Sequence, residues 1–503
     1  MTKTAITPTR AANYNEWYQK VVRAADMAEL SEVRGCMILK AWGYGMWELM
    51  QRDMDRRFRE TGHENYYFPL FIPLSYFERE ASHVDGFAKE MAVVTHHRLV
   101  KKGGKLVPDG ELEEPLVVRP TSETIIGQAM SKWIQSYRDL PLLLNQWANV
   151  VRWEMRPRLL LRTMEFLWQE GHTAHETFKE AMDETLQMLD IYATFCEDTF
   201  ALPVIKGEKI PSERFPGAVN TYCIEAMMQD GRALQAGTSH YLGHGFAKAF
   251  NIQFQSRQGE LEYVHTTSWG VSTRLLGALV MTHADDDGMR TPPRIAPWQI
   301  VILPILREDT DQQAVLEYCE MLRADLSLVT MDGQTLRVKV DLHDSPAADK
   351  RWSWIKKGAP LILEIGAREV EEEKVCYSRR DDLKQGKIFE ERAEFLGQAG
   401  GILDSIHNRL FEDALAFQQS RMVTDITDWD AFEAYFAKED VNGFSSGKGF
   451  VRAKWCGDEE SLIKLDALGV TVRCIPFDQD GREGVCVLTG QKATQDVIFA
   501  RAY

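Results

Sequence analysis

Three short blocks, separated by long intervals, each place an arginine or a carboxylate on a strand or at a strand–loop junction. They lie at residues 119–124, 151–154 and 270–275. A planar guanidinium holds two oxyanion oxygens together through its forked N–H donors, which lysine cannot do with the same geometry. A reaction that brings two negatively charged groups together needs such fixed cations where charge accumulates. Arg152 is the candidate for that role.

The elements that must position these blocks follow from the apolar pattern. Residues 44–58 carry apolar side chains every three or four positions, which predicts a helix. Residues 66–73 predict a strand that ends at a proline, and residues 92–118 predict a hairpin around a glycine-containing loop. Residues 142–153 and 166–169 predict an antiparallel pair of strands joined by a charged loop.

A proline-rich stretch predicts a domain boundary. Residues 290–297 contain three prolines, which remove hydrogen-bond donors and restrict the residues before them. After it, strand patterns at 299–306 and 360–365 and a helix pattern at 311–326 predict a small α/β domain. We expect three domains, at residues 1–295, 296–405 and 406–503.

The net charge bears on possible partners. It is −16 at pH 7, so a polyanion is repelled on average and any nucleic-acid contact must come from local basic patches. Composition alone therefore argues mildly against an RNA partner.

Composition also bears on the location of the protein. The eight cysteines have neither the density nor the pattern of a disulfide framework. The first thirty residues carry charges throughout, and no uncharged apolar run approaches the length of a bilayer span. We expect a cytoplasmic protein that does not enter a membrane.

Taken together, the blocks resemble a known family. Pro69 after a long helix, residues 151–154 and residues 270–275 resemble the three signature motifs of the class II aminoacyl-tRNA synthetases in order and spacing. Within that class, three runs resemble the prolyl-tRNA synthetases: residues 119–124, 161–172 and 237–240.

The resemblance covers essentially the whole chain and implies both fold and activity. It implies a mixed α+β and α/β protein: a class II catalytic domain built on an antiparallel sheet flanked by helices, an α/β anticodon-binding domain, and a small α/β C-terminal domain. The implied reaction is ATP-dependent activation of L-proline and its transfer to tRNA(Pro). In this family the Pro69 motif belongs to a dimer interface, so a homodimer is expected.

The interval between residues 154 and 270 leaves no room for the large editing domain of bacterial-type members. The resemblance is therefore to the archaeal and eukaryotic type. A pocket sized for proline cannot strongly exclude a smaller amino acid, because missing methylenes are worth only about 1–3 kcal/mol. Mischarging with alanine is therefore expected.

The resemblance also implies roles for individual residues. Arg152 and Arg274 would be the catalytic cations, and Glu225 would be a ligand of Mg²⁺ that bridges the ATP phosphates. The residues implied to bind ATP are Arg152, Glu154, Arg162, Thr163, Gln235, Thr238, Ser272 and Arg274. The residues implied to bind proline are Thr121, Glu123, Arg152, Trp168, Glu170, His172 and His240.

Each of these residues has an ordinary structural explanation when taken alone. A lone Trp168 is more often a core residue, a lone His172 or His240 a structural histidine, and a lone Arg152 a surface ion pair. Because these residues occur together and in the order found in the family, functional roles are favoured over the structural explanations.

The chain departs from the family pattern at a zinc site. The family's C-terminal domain carries two pairs of cysteines, whose positions are occupied here by Cys456, Ser461, Cys486 and Thr489. Two of four thiolates are missing, so tetrahedral zinc with four sulfur ligands cannot form, and no zinc is expected.

The predicted middle domain offers weaker signals. Lys356 and Arg368 are candidate tRNA contacts, although charges of this kind are more often solvated surface residues. The terminal Tyr503 matches a family tyrosine whose carboxylate turns back toward the catalytic domain; the bare alternative is a frayed end.

Two rival functions are weaker. A non-catalytic relative that only binds tRNA or senses an amino acid would be expected to lose residues such as Arg152, Glu123 and His172. A class II synthetase for threonine would carry a metal-binding set in its pocket, and the sequence has none at the matching positions.

Overall fold

The N-terminal part of the chain contains a large sheet and the helices that cover it. The structure is a computed structural model and describes residues 4–79, 90–154, 156–437 and 448–503. The helices of this part are α1 Tyr14–Ala24, α2 Ala41–Glu60, α3 Leu74–Glu78, α4 Glu123–Trp133, α5 Phe178–Asp198, α6 Gly245–Ala249 and α7 Arg274–His283. Its strands are β1 Ala28–Leu30, β2 Met37–Leu39, β3 Glu64–Asn65, β4 Phe71–Pro73, β5 Ala92–Lys102, β6 Lys105–Val118, β7 Leu142–Val151, β8 Glu165–His175, β9 Ile205–Glu208, β10 Asn220–Met227, β11 Ala233–Gly243, β12 Gln253–Gln255, β13 Leu261–Tyr263 and β14 His265–Ser272.

The middle part is a small α/β unit. Its helices are α8 Gln312–Leu326, α9 Ala347–Lys357, α10 Ala367–Glu371 and α11 Arg392–Ser420. Its strands are β15 Ile300–Pro304, β16 Thr330–Met331, β17 Gln334–Thr335, β18 Val338–Val340, β19 Leu361–Ile365, β20 Lys374–Arg379 and β21 Ile388–Glu391. Its sheet has the order β18-β15-β19-β20-β21, with β15 parallel to β18 and β19 and the remaining pairs antiparallel.

The C-terminal part adds further strands to the large sheet. Its helices are α12 Trp429–Ala437 and α13 Ile463–Asp466. Its strands are β22 Met422–Val423, β23 Phe450–Trp455, β24 Thr471–Pro476, β25 Gly484–Val485, β26 Lys492–Ala493 and β27 Gln495–Ala500. Because β24 pairs with β9, the sheet is continuous across both parts, in the order β22-β23-β27-β24-β9-β10-β11-β14-β8-β7-β3.

The register of three central antiparallel strands sets the positions of the side chains above the sheet. His172 of β8 lies opposite Ser268 of β14, which lies opposite His240 of β11. Two residues along, Glu170 and Thr238 flank Gly270. Because side chains alternate between faces, both rows point to the same side of the sheet.

The opposite face of the sheet packs on helices α2, α5 and α7. Trp269 lies at the centre of this packing, with its ring 5.1 Å from that of Phe58 and 6.3 Å from that of Tyr192. Gly171 is required beside it, because a Cβ there would lie 2.0 Å from the Trp269 indole. The core therefore fixes β8 against β14 from the helix-covered face of the sheet.

One prediction from sequence needs correction. Residues 66–73 form a strand only at Phe71–Pro73. The stretch before it makes isolated bonds instead of a ladder: the Tyr66 N–H donates to the Asn145 carbonyl, the Phe68 N–H donates to the Gln146 side chain, and the Phe68 carbonyl accepts from the Arg119 side chain. Helix α11 continues past residue 405.

The helices give no sign of a membrane span. Within the four described ranges, none combines the length and apolar composition that crossing a bilayer requires.

A buried ionic cluster joins the C-terminal part to the large sheet. Arg473 of β24 donates to both carboxylate oxygens of Glu225 on β10, at 3.0 and 3.1 Å. Lys209 donates to Glu225 at 3.0 Å and to the Arg473 carbonyl at 2.6 Å. All three side chains are almost completely buried. Two cations and a carboxylate thus satisfy one another where water is excluded.

We predict that Arg473→Met destabilises the protein by about 3–5 kcal/mol, because removing one member of a buried ionic cluster disturbs the pairing of the others. The urea midpoint, followed by tryptophan fluorescence, measures the effect. Arg482→Met is the control, since Arg482 lies on an exposed loop of the same part. Equal midpoints for the two variants would contradict the prediction.

Candidate active site

A cavity above the central strands brings together most of the residues singled out in the sequence. Its volume is about 290 Å³, and β8, β11, β14 and the start of α4 supply much of its lining. The predicted residues that line it are Thr121, Glu123, Arg152, Trp168, Glu170, His172, Gln235, Thr238, His240, Ser272 and Arg274.

A second, smaller cavity of about 120 Å³ adjoins the first and shares Arg152, Ser272 and Arg274 with it. The predicted residues that line only this second cavity are Glu154, Arg162 and Thr163. We call the first cavity the recess and the second the arginine lobe. Arg152 lines both, as do Phe166, Ser272 and Arg274, so these four residues lie where the two cavities meet.

Arg152 is held in place by its backbone position and by aromatic rings. It directly follows β7, and its Nε donates to the Pro120 carbonyl at 2.9 Å. Its guanidinium lies 5.6 Å from the Phe166 ring and 5.4 Å from the Trp168 ring. Burial lowers the pKa of Arg152, and nearby carboxylates, of which Glu123 is the first, oppose that shift. The cation is therefore partly withdrawn from water and fixed in orientation.

Arg274 opens α7 and contributes a second, half-buried cation. Its Nε donates to the Leu161 carbonyl at 3.2 Å. Burial, together with the charges of Arg162 and Arg152, lowers the pKa of Arg274 to about 10. Arg162 forms an ion pair with Glu154. The three arginines converge, so the arginine lobe attracts an anion of high charge.

The recess contains a network around Glu170. Its carboxylate accepts from Ser122 at 2.5 Å and from Gln146 at 2.8 Å, and it lies 2.9 Å from His172 Nε2. Burial lowers the pKa of His172, but the hydrogen bond to Glu170 and the charge of that carboxylate outweigh burial and raise it overall. Nearby, Thr121 donates to Glu123. The recess therefore presents carboxylates to a cationic ligand.

The pKa of His240 is shifted in the opposite direction to that of His172. Burial lowers the pKa of His240 to about 4, so its imidazole is neutral at pH 7. Its Nδ1 lies 3.0 Å from the Thr221 hydroxyl, and its ring stacks on Phe215 with the centroids 4.7 Å apart. With Trp168 and Phe166, these rings form apolar walls around the carboxylates.

The position of Glu225 corrects its predicted role. The cavity lining does not include it, and its two oxygens accept from Lys209 and Arg473. A carboxylate neutralised by two buried cations is a poor ligand for Mg²⁺. The carboxylates that line the arginine lobe are Glu90 and Glu154.

Some residues of the site were missed from the sequence. Ser122 does not line the recess but donates to Glu170, and it lies inside the 119–124 block, which could have revealed it. Phe215 and Glu213 lie in and beside a short helical turn at Pro211–Glu213, and no periodic pattern singles them out.

Hydrogen bonds link some of the residues at the four positions that match the family's zinc ligands. Cys456 Sγ lies 3.4 Å from the Thr489 hydroxyl, and the Ser461 hydroxyl donates to the Asp458 carbonyl at 2.6 Å. Burial tends to raise the pKa of the Cys486 thiol, but hydrogen bonds from Thr489 and neighbouring backbone N–H groups lower it overall. Within the described residues, no set of three or more histidine, cysteine or acidic side chains is arranged to hold a metal ion. The residues present do not fit a four-sulfur zinc site.

The two candidate tRNA contacts lie apart from the cavities. Lys356 lies near the end of α9, and Arg368 lies in α10. Arg368 is largely exposed and pairs with Glu372 at 2.8 Å. Neither lines the recess or the arginine lobe.

Comparison with known proteins identifies the family. Residues 106–283 match the class II core domain of the synthetases for G, H, P, S and T, residues 299–396 match an anticodon binding domain, and residues 439–503 match a prolyl-tRNA synthetase C-terminal domain. A proline–tRNA ligase of Paramagnetospirillum magneticum is 60% identical over 501 residues, covering 100% of this chain and 99% of that protein. The chain belongs to the prolyl-tRNA synthetases. It is thus a ligase that joins proline to tRNA.

Two further relatives extend the match. A proline–tRNA ligase of Protochlamydia amoebophila is 55% identical, covering 100% of this chain and 99% of that protein. The crystal structure of prolyl-tRNA synthetase from Cryptosporidium parvum, complexed with halofuginone and AMPPNP, matches with a TM-score of 0.88 at 35% identity, covering 99% of this chain and 97% of that one. The predicted class II architecture is confirmed. The curated relatives named here are bacterial, so the expected archaeal and eukaryotic type is not supported.

We predict that Glu170→Gln lowers the pKa of His172 below its ordinary value of 6.5, because burial then acts without the carboxylate. In the unaltered protein the raised pKa means that His172 contributes stability at acidic pH, which is lost as the pH rises through the folded-state pKa. Histidine NMR titration measures the pKa. Glu113→Gln, on the exposed hairpin, is the control. An unchanged His172 titration in Glu170→Gln would contradict this description of the recess.

Proposed function

We propose that the recess binds L-proline, that the arginine lobe binds ATP, and that Arg152 holds the reacting oxygens of both. The observation that carries this proposal is that Arg152 lines both cavities and is fixed by two aromatic rings. A guanidinium at that junction has the geometry to hold a carboxylate oxygen and a phosphate oxygen together.

ATP is assigned to the arginine lobe by charge. Arg274 and Arg162 would hold phosphate oxygens, and the carboxylate of Glu154 would accept from the adenine amino group. Thr163, Gln235, Thr238 and Ser272 line the surrounding walls and would supply further polar contacts. The Cryptosporidium parvum synthetase was crystallised as a complex with AMPPNP, an ATP analogue, which supports a nucleotide site in this fold.

Proline is assigned to the recess by its combination of acids and rings. The secondary ammonium would lie against Glu123 and Glu170, with Thr121 and His172 orienting those carboxylates. Trp168 and the neutral His240 would bound the ring. A buried carboxylate facing a cation, with apolar walls, suits a small cyclic amino acid.

The proposed chemistry needs positioning and charge stabilisation more than proton transfer. A carboxylate oxygen of proline bonds to the α-phosphorus of ATP while the bond to the bridging oxygen breaks, which releases pyrophosphate. A hydroxyl of the terminal ribose of the tRNA then attacks the carbonyl carbon and releases AMP. Arg152 and Arg274 would stabilise the charge that accumulates in the first step. Mg²⁺ would neutralise the phosphates, with Glu90 as the lining carboxylate that the nucleotide assignment leaves available.

We propose that the chain lacks an internal editing domain. Between β8 and β14, helix α5, the strands β9–β13 and α6 occupy the interval, and most of these pack into the central sheet or its covering layers. Proline would then be separated from alanine only by the fit of the recess. The interval between β8 and β14 is also the basis for proposing the subtype that lacks the editing domain.

Five further proposals concern assembly, metal binding, tRNA contacts, domain bounds and location. Exposed aromatic side chains beside Pro69, including Tyr67 and Trp133, support a homodimer, which light scattering would test. The two missing thiolates support a C-terminal part without zinc, which metal analysis would test. Lys356 and Arg368 remain proposed tRNA contacts, testable by the KM for tRNA of their alanine variants. The domain bounds 1–295, 296–405 and 406–503 and a cytoplasmic location are also proposals.

We predict that amino-acid-dependent exchange of pyrophosphate into ATP occurs with proline and falls about 10²–10³-fold in Arg152→Lys, because a point charge cannot replace the forked donors. Alanine should support weaker exchange, whereas threonine should support none. Arg98→Lys, an exposed position on the hairpin, is the matched control and should retain full exchange. Full activity in Arg152→Lys would refute the proposed role of Arg152 in holding the reacting oxygens of proline and ATP.

A further inference from the structure

A separate cavity lies between the N-terminal part and the middle part, away from the active site. Its volume is about 620 Å³. Helix α2, the end of α5, the proline-rich connection and strands around β16 and β17 form its walls. The charged residues that line it are Arg52, Asp53, Arg56, Arg57, Asp198, Arg294, Asp332 and Arg337.

The acidic residues of this cavity are already paired. Asp53 accepts from Arg56 at 2.7 Å and from Arg57 at 3.1 Å. Asp198 lies 3.3 Å from Arg57, and Asp332 lies 2.6 Å from Arg294. The lining holds five arginines and three aspartates, so positive charge remains after every aspartate has a partner.

The remaining positive charge belongs to Arg52 and Arg337. Arg337 is anchored, because its guanidinium donates to the carbonyls of Ala296 at 2.9 Å and Pro293 at 3.0 Å. Those partners are neutral backbone groups. Within the described residues, neither arginine has a carboxylate within ion-pair distance.

The two guanidinium groups also act on each other. Burial lowers the pKa of Arg337 to about 10, and the charge of Arg52 contributes to that shift. Like charges that converge in a partly buried cleft are unfavourable unless an anion lies between them. The arrangement is therefore that of an anion site.

We propose that this interdomain cleft binds a phosphate-bearing ligand between Arg52 and Arg337. The Nε and Nη2 of Arg337 donate to the Ala296, Pro293 and Arg294 carbonyls, so its Nη1 and the guanidinium of Arg52 would hold the phosphate oxygens. The cleft has the size of a typical small-ligand pocket, roughly 300–1,000 Å³. The phosphate comes either from an RNA backbone, since the cleft lies between the catalytic and anticodon-binding parts, or from a free polyphosphate. The proposal goes beyond the active-site assignments and stands whether or not Arg152 has its proposed role.

The test uses the full chain. The pyrophosphate arm contains AMPPNP and proline at saturating concentration, which keep pyrophosphate out of the active site, and the aminoacylation arm contains ATP and proline instead. Arg52→Glu is the principal variant, because Arg52 is exposed on α2 and its replacement leaves the fold intact. Arg59→Glu is the matched control, since it makes the same charge change on the same helix outside the cleft. Calorimetry measures pyrophosphate affinity, and aminoacylation at several salt concentrations measures the KM for tRNA.

We expect Arg52→Glu to weaken binding at least about tenfold relative to Arg59→Glu in one arm or both. Weakened pyrophosphate binding assigns the cleft to a free polyphosphate. A raised KM for tRNA with a shallower salt dependence assigns it to an RNA phosphate. If Arg52→Glu and Arg59→Glu have the same pyrophosphate affinity and the same KM for tRNA, the proposal is overturned.

Discussion

A single guanidinium, partly withdrawn from water between two cavities, is the constraint that the rest of the site serves. Arg152 directly follows β7, and it is held by the Pro120 carbonyl and by the rings of Phe166 and Trp168. A buried cation is costly unless acids or dipoles surround it. The recess supplies those acids and the arginine lobe supplies further cations, so an amphoteric amino acid and a polyanion can lie on either side of it.

The C-terminal part contributes to this arrangement although it does not line the cavities. Its strand β24 continues the large sheet, and Arg473 on that strand reaches the carboxylate of Glu225 on β10. The charges of both Glu225 and Arg473 act on Arg274. The electrostatic environment of the arginine lobe therefore depends on a residue far along the chain, which ties the folding of the C-terminal part to the active site.

Much of the site could be predicted from sequence because its residues share local patterns. Trp168, Glu170 and His172 alternate along one strand, and that spacing places them on one face of the sheet. Glu225 could not be assigned correctly, because its partner Arg473 lies 248 residues away and no local pattern links them. Residues 66–70 have the composition of a strand, but side-chain hydrogen bonds from distant residues replaced the expected strand pairing. Phe215 lies outside any regular element. Residues with long-range partners, and residues in irregular loops, could therefore not be predicted, because no local pattern marks them.

The proposed role of Arg152 is to join the proline and ATP sites, and the thermodynamic coupling between the two ligands tests that role most directly. Calorimetry would measure proline affinity with and without AMPPNP, in the unaltered protein and in Arg152→Met. We expect both ligands to bind together in the unaltered protein, because the cation offsets the repulsion between carboxylate and phosphate. In Arg152→Met, AMPPNP should weaken proline binding about tenfold. Identical coupling in the two proteins would contradict this role for Arg152.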